Sequence, residues 1–236
     1  MKEFSDRQLI EFFNQFITDE RLDLFQSVLK NRTRYLTVVL EDIFQTQNAS
    51  AVLRTCEVFG VQDIHIIENQ NPFKVNARVT LGSAKWLTLN RYNKEENNTV
   101  TALARLKEQG YRIIATVPDT KATTLEQFNL EKGKAAIVFG SEKPGISKYV
   151  KEMADEQLTI PMVGFTESLN ISVSAATIIY TLITKLRKSK IDWHLNPQEA
   201  DELMLKWLRK HIRRSDLLEA RFHEEHSQKM SSSEPI

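Results

Sequence analysis

Two hydrophobic periodicities alternate through the middle of the chain. Short apolar runs predict strands, and apolar residues at helical spacing predict helices between them. The predicted strands are 36–40, 63–68, 86–92, 111–117, 134–140 and 157–161. The predicted helices among them are 47–61, 97–109 and 146–154. Strands that alternate with helices indicate an α/β fold with a mostly parallel sheet covered on both faces.

The segment 160–180 follows the last predicted strand and combines a loop with the start of a long helix. A proline and a glycine indicate the loop, and small and β-branched residues over 171–186 predict a helix that is apolar nearly all round. Such a helix is buried in the protein or against a partner. Ser168 and Asn170, just ahead of it, either belong to a binding site or only cap the helix. The segment alone favours the cap.

Helical patterns also occupy both ends of the chain. Residues 5–30 have helical periodicity, and Pro197 suits the start of another helix. Residues 185–214 carry nine cations and four anions, a local net charge of +5. This basic stretch predicts either phosphate contacts or the solvated face of a docking helix. The basic segment 30–35 allows the same two interpretations, and we favour the solvated helix end.

Composition places these elements in one sizeable core with appendages. The chain has 236 residues, 41% of them hydrophobic, and a net charge of +1, which argues neither for nor against nucleic acid. A single cysteine, Cys56, excludes an intramolecular disulfide and suits a reducing compartment. No signal peptide or uncharged membrane-length apolar stretch is apparent. We therefore expect a cytoplasmic protein without membrane contacts.

Candidate chemistry lies in the loops after residues 116, 139 and 160, because parallel sheets bind ligands beyond the carboxyl ends of their strands. In the loop FGSEKPGIS, 139–147, Gly140 and Gly145 let the backbone approach a ligand closely. Glu142 between them could orient a hydroxyl or a cationic ligand, or could only complement a helix dipole. Both phosphate-loop patterns, GxxxxGK[ST] and GxGxxG, are absent, so nucleotide triphosphate or dinucleotide binding lacks its usual support.

Asn48 and Arg54 form a third candidate constellation. Residues six apart do not share a helix face closely, but both can point into one cleft if Asn48 lies in the turn before the helix. Arg54 stands among apolar residues. A cation in such a setting predicts either a functional guanidinium or an ion pair with a carboxylate.

Three segments, NASAVLRTCEVFGV, FGSEKPGIS and IPMVGFTESLNISVSAA, carry a family resemblance by their order and spacing. They resemble the three motifs of the SpoU-type RNA ribose 2′-O-methyltransferases of the SPOUT superfamily, over about residues 36–188. The helical extensions at both ends resemble the TrmH branch, which methylates guanosine 18 in the D-loop of tRNA. A ribosomal-RNA ribose methyltransferase would share the motifs. A non-catalytic RNA-binding protein need not retain Arg54, Glu142 and Asn170 together.

The resemblance implies a fold, a cofactor and an assembly. The expected fold has a deep C-terminal trefoil knot that holds S-adenosylmethionine, and the expected assembly is a homodimer through the third-motif helix, acting on tRNA without a metal. The implied cofactor residues are Thr116, Gly140, Ile160 and Leu169. The implied catalytic residues are Asn48, Arg54, Glu142, Ser168 and Asn170. The expected domains are an N-terminal helical extension (1–35), a methyltransferase domain (36–190), a C-terminal helical extension (191–225) and a disordered tail (226–236).

The implied reaction assigns roles to these side chains. Ser168 and Asn170 would position the ribose, and Glu142 would orient Arg54 or Asn48. A guanidinium is always protonated, so our hypothesis gives Arg54 a phosphate-binding and oxyanion-stabilising role rather than that of a base. Glu167 occupies a position where this branch is expected to have glutamine.

Overall fold

The computed structural model describes residues 5–231. They form two compact units: one contains the residues up to Arg32 together with those from Leu195 onward, and the other is Thr33–His194. The two helical ends of the chain therefore belong to one unit, and the alternating pattern belongs to the other. Within the described part, no helix has the length and apolar character needed to cross a membrane.

The second unit is built on a seven-stranded sheet. The strands are β1 Leu36–Glu41, β2 Asp63–Ile67, β3 Thr88–Tyr92, β4 Arg112–Thr116, β5 Thr123–Thr124, β6 Ala135–Phe139 and β7 Glu156–Thr159. Their order across the sheet is β3-β2-β1-β6-β4-β7-β5, and every neighbouring pair is parallel. This confirms the predicted α/β class. Only β5 has no counterpart in the sequence prediction, since two residues are too few to show periodicity.

Helices cover both faces of this sheet. They are α3 Thr46–Phe59, α4 Ala77–Thr80, α5 Asn98–Glu108, α6 Lys148–Met153 and α7 Ile171–Lys188. Val38 packs in the core shared by α3 and α7, whereas Val39 packs on the opposite face with residues of α5 and α6. Successive strand residues point to opposite faces, so a strand buried on both faces must be continuously apolar.

The position of β7 brings loops together at one edge of the sheet. Leu158 in β7 is level with Thr116 of β4 on one side and with Thr123 of β5 on the other. The link 117–122 therefore joins two strands that lie on opposite sides of β7. The loops after β4, β6 and β7 all emerge at this edge because neighbouring strands run in the same direction.

The first unit consists of four helices, α1 Asp6–Asn14, α2 Asp19–Leu29, α8 Pro197–His211 and α9 Ser215–Ser231. The helical periodicity expected over 5–30 is confirmed as two helices, because the Thr18 hydroxyl accepts from the backbone of Arg21 and starts the second one. Asn196 forms a capping box with Glu199 ahead of Pro197. The tail expected over 226–236 falls partly in α9, and residues 232–236 lie outside the described residues.

The basic segment 30–35 is used by the fold. Arg32 is buried, with its guanidinium 5.4 Å from the centre of the Trp207 ring. Arg34 pairs with Asp63 at 3.0 Å, and the Tyr35 hydroxyl donates to a main-chain carbonyl at 2.6 Å. These three side chains therefore fit neither the phosphate contacts nor the solvated helix end expected for this segment, since both require exposed groups.

Candidate active site

Residues from three separate segments form one hydrogen-bonded cluster. The Asn48 side-chain amide donates to the carboxylate of Glu142 and to the side chain of Gln45 at 3.0 Å. The Asn48 carbonyl oxygen accepts from the Asn170 amide at 3.2 Å. Asn48 is buried, whereas the other two candidate residues border solvent. The structure thus brings together three of the five expected catalytic residues, each from a different motif.

Two helix N-termini hold this cluster in place. Asn48 lies in the first turn of α3, within the helix rather than in the turn before it. Asn170 is the N-cap of α7, and its side-chain oxygen accepts from the Ser172 backbone at 2.8 Å. Asn170 therefore caps the helix with its oxygen and reaches Asn48 with its nitrogen. Ser168 is exposed and makes no hydrogen bond within the described part of the chain, so it does not share the capping role.

The loop that carries Glu142 is folded tightly on itself. A Cβ added at Gly140 would lie 2.3 Å from the backbone carbonyl carbon of Gly145, closer than real Cβ atoms approach other atoms. Gly145 has a φ of 84°, in the left-handed region. The absence of a side chain at Gly140 therefore accommodates the backbone of its own loop, a requirement that the sequence interpretation did not include.

Glu41 anchors the far end of the same loop. Its side chain is 3% exposed and accepts from the Ser147 backbone at 2.9 Å, the Ser147 hydroxyl at 2.7 Å and the Thr99 hydroxyl at 2.7 Å. These donors satisfy a carboxylate that would be costly to bury alone. Glu41 was not among the residues predicted from the sequence. It could have been noticed as an acidic residue at the end of a mostly apolar strand.

Arg54 is placed differently from the expectation. It is exposed on the middle of α3 and makes no ion pair or hydrogen bond with any residue that the structure describes. Six residues of helix carry it about 9 Å along the axis from Asn48 and about 120° around it. Arg54 shares its helix face with Val58, which is 64% exposed. Among the described residues, Arg54 is therefore neither buried in an apolar setting nor held in an ion pair.

A cavity of about 460 Å³ lies beyond the ends of β4, β5 and β7, within the usual range of about 300–1,000 Å³ for small-molecule sites. Its lining residues come mainly from the loops after β4 and β7: Pro118, Thr120, Thr124, Thr159, Ile160, Pro161, Met162, Gly164, Thr166 and Glu167. The sequence analysis indicated these loops but, apart from Ile160, not these residues, since threonines and prolines are common in any loop.

Of the four expected cofactor residues, one lines this cavity, and the other three do not. Ile160 lines it. Thr116 ends β4 and Gly140 follows β6, on neighbouring strands. The Thr116 hydroxyl donates to the carbonyl of Val138 at 2.8 Å, so this side chain links strands β4 and β6. Leu169 lies further along the loop after β7 and is 42% exposed.

Comparisons with known proteins agree with this geometry. The sequence profile of the SpoU rRNA Methylase family matches residues 35–180. The tRNA (guanosine(18)-2′-O)-methyltransferase of Borreliella burgdorferi is 46% identical over 89% of this chain and 94% of its own length. The crystal structure of the A. aeolicus TrmH/SpoU tRNA modifying enzyme is 27% identical, with a TM-score of 0.72 over 83% of this chain and 98% of that chain.

A more distant similarity concerns the fold alone. The SpoU methyltransferase AviRb from Streptomyces viridochromogenes, solved with the cofactor AdoMet, is 17% identical, with a TM-score of 0.55 over 70% of this chain and 62% of that chain. The family profile covers more than half of this chain, and the Borreliella relative matches nearly all of it. On these grounds, the chain belongs to the SpoU methylase family.

Proposed function

We propose that this protein transfers the methyl group of S-adenosylmethionine to the ribose 2′-oxygen of guanosine 18 in tRNA. The hydrogen-bonded cluster of Asn48, Glu142 and Asn170 is the observation that carries the proposal. A cavity of cofactor size lies beyond the strand ends of the same parallel sheet, the region in which such sheets bind ligands. The Borreliella relative, named for this activity, supports the choice of RNA and nucleotide.

The cavity suits the chemical groups of S-adenosylmethionine. Apolar side chains such as Ile160 and Met162 offer surface for the adenine and methylene groups, and threonine hydroxyls offer hydrogen bonds to a ribose. Bound there, the cofactor would supply an electrophilic methyl group. We propose that Thr116, Gly140 and Leu169 complete this site through their backbone groups.

The chain's own residues would bind and align the nucleotide. Asn170 and Ser168 would hold the ribose, while Glu142 fixes the Asn48 amide through their hydrogen bond. Arg54 would bind the phosphate and stabilise the developing negative charge on the 2′-oxygen, since its guanidinium cannot accept a proton. The hydroxyl proton would then pass to the phosphate or to water, and this alignment requires no metal.

We also propose a homodimer. Val58 on α3 and Val173 and Tyr180 on α7 leave apolar surface exposed, and the rings of Phe59 and Tyr180 lie 5.6 Å apart between these helices. Contiguous exposed apolar surface on packed helices is typical of an interface. Burying this face against a second copy would place Arg54, which shares the face of Val58, at the subunit boundary.

A trefoil knot in the second unit is a further part of the proposal. In the proposed threading, the link 117–122 would pass around the chain that leaves β7, which lies between β4 and β5. The chain then continues through 160–170 into α7. Knots are nearly absent from proteins, so this threading would be a rare exception. It would hold in place the two loops that line the cavity.

The protein would act in the cytoplasm.

The helical unit would contribute contacts to tRNA phosphates. Arg209 pairs with Glu219, but Arg213 and Arg214 are exposed. We expect the Arg213→Gln, Arg214→Gln double variant to weaken tRNA binding and to lower the salt slope of log K by about 2. Arg221→Gln, which removes a guanidinium paired with Glu225, is the control. Equal slopes for all three proteins would exclude these contacts.

The activity itself is tested with labelled S-adenosylmethionine, purified protein and separate tRNA and ribosomal-RNA substrates. We expect label in tRNA alone, mapped to the ribose of guanosine 18, and none in a tRNA with 2′-deoxyguanosine at that position. Label in ribosomal RNA, or at another tRNA nucleotide, would contradict the proposed substrate. Absence of label from both RNAs would contradict the activity.

A further inference from the structure

The cavity beyond β4, β5 and β7 has an uneven charge distribution. Of its lining residues in the described part, Glu167 alone is charged; the others are apolar, threonine or glycine. Glu167 is exposed on the loop after β7 and makes no hydrogen bond or ion pair with any described residue. Glu167 therefore brings a negative charge to the cavity lining, and no described residue neutralises it.

We propose that Glu167 makes this cavity selective for the cationic methyl donor over the demethylated product. The inference rests on the proposed function, which puts S-adenosylmethionine in the cavity. The donor carries a positive sulfonium that becomes a neutral thioether in S-adenosylhomocysteine. The amino acid ends of the two molecules are identical, so their interactions with Glu167 cancel when the two affinities are compared. The ratio of affinities isolates the interaction between the Glu167 carboxylate and the sulfonium charge.

This charge difference has a consequence for turnover. At an effective dielectric constant of about 20, opposite unit charges about 8 Å apart and screened over a Debye length of about 8 Å change an affinity by roughly three- to tenfold. The carboxylate attracts the ligand before methyl transfer and loses that attraction afterwards. Glu167 therefore favours the exchange of product for fresh donor. The other lining residues are uncharged and do not distinguish the sulfonium from the thioether by charge.

The test is isothermal titration of the full-length protein with S-adenosylmethionine and with S-adenosylhomocysteine. We expect Glu167→Gln to lower the donor-to-product affinity ratio three- to tenfold, while the affinity for the product changes less than twofold. Raising the salt from about 0.05 to 0.5 M should lower the ratio in the wild type but not in the variant, because salt screens exposed charges.

Asp119→Asn is the matched control. Asp119 lies between the lining residues Pro118 and Thr120 but does not line the cavity, and asparagine can still accept from the Lys121 backbone as Asp119 does at 2.9 Å. We expect the wild-type ratio in this variant. An unchanged ratio in Glu167→Gln, or an equal loss in both variants, would overturn the inference alone. A wild-type protein that binds neither ligand would instead overturn the proposed cofactor.

Discussion

Asn170 uses the two ends of one amide for different purposes. Its oxygen accepts from the backbone and the hydroxyl of Ser172 at 2.8 and 2.6 Å, and its nitrogen donates to Asn48. A helix cap and a site residue are therefore compatible at this position. Sequence alone presented them as alternatives, because it does not show which neighbour meets each end of an amide.

Substitution can separate these two contributions. Asn170→Ser keeps an oxygen that can cap α7 but loses the amide that reaches Asn48. We expect near-wild-type stability and a roughly 10- to 100-fold loss of methylation rate, as misalignment of bound reactants produces. Asn170→Ala should lose the rate and also about 1 kcal/mol of stability. Urea unfolding measures the stability of the two variants, and single-turnover methylation measures their rates. A fully active Asn170→Ser protein would show that Asn170 only caps the helix.

His65 gives stability a pH dependence. Its ring is buried against the Tyr92 hydroxyl at 3.0 Å, and burial, followed by the charge of Arg105, lowers the pKa of His65 to about 4. The unfolded chain binds a proton near pH 6.5, so stability falls as the pH drops from about 6.5 towards 4, by up to about 3 kcal/mol. In urea unfolding at pH 7 and pH 5, His65→Gln should lose less stability than the wild type. Equal losses would contradict this assignment.

At the scale of elements, Glu41 links three pieces of the fold. It ends β1, and its carboxylate holds Thr99 at the start of α5 and Ser147 at the start of α6. The loop with Glu142 is thereby fixed at both ends, by strand β6 and by Ser147. The elements themselves were predictable from periodicity, but this junction was not, because a buried carboxylate depends on donors that are distant in sequence.

Glu41→Gln tests this junction. A glutamine amide nitrogen cannot accept from Ser147, so one buried donor loses its partner. We expect a loss of about 1–3 kcal/mol in the free energy of unfolding. Faster amide exchange over 140–147 and a lower methylation rate should accompany it. Thr99→Val removes a single hydroxyl and should leave exchange in that loop unchanged. Wild-type exchange rates in the Glu41→Gln protein would show that the loop is held by other contacts.

For the molecule as a whole, the parallel sheet and the loops at its carboxyl end could be predicted from the sequence, whereas the exposure of individual surface residues could not. Continuous apolar strands such as β6 can be recognised without coordinates, because burial on both faces favours apolar residues at every position. The exposure of Arg54 could not be recognised in this way. Val52 and Leu53 beside it are buried, whereas Val58 shares its exposed side. Sequence periodicity does not reveal what a second molecule would cover.

Mixed dimers test whether Arg54 acts across the proposed subunit boundary. Arg54→Ala and Asn170→Ser subunits should each retain at most about a tenth of wild-type activity alone. If Arg54 serves the partner's site, a mixed dimer contains one complete site, and a statistical mixture of co-expressed subunits should regain about a quarter of wild-type activity. If Arg54 serves its own subunit, neither chain of a mixed dimer has a complete site, and activity stays at the level of the single variants. Tagging the two chains differently and purifying the mixed dimer should raise the recovered activity to about half of wild type, which ordinary contamination by wild-type enzyme would not reproduce.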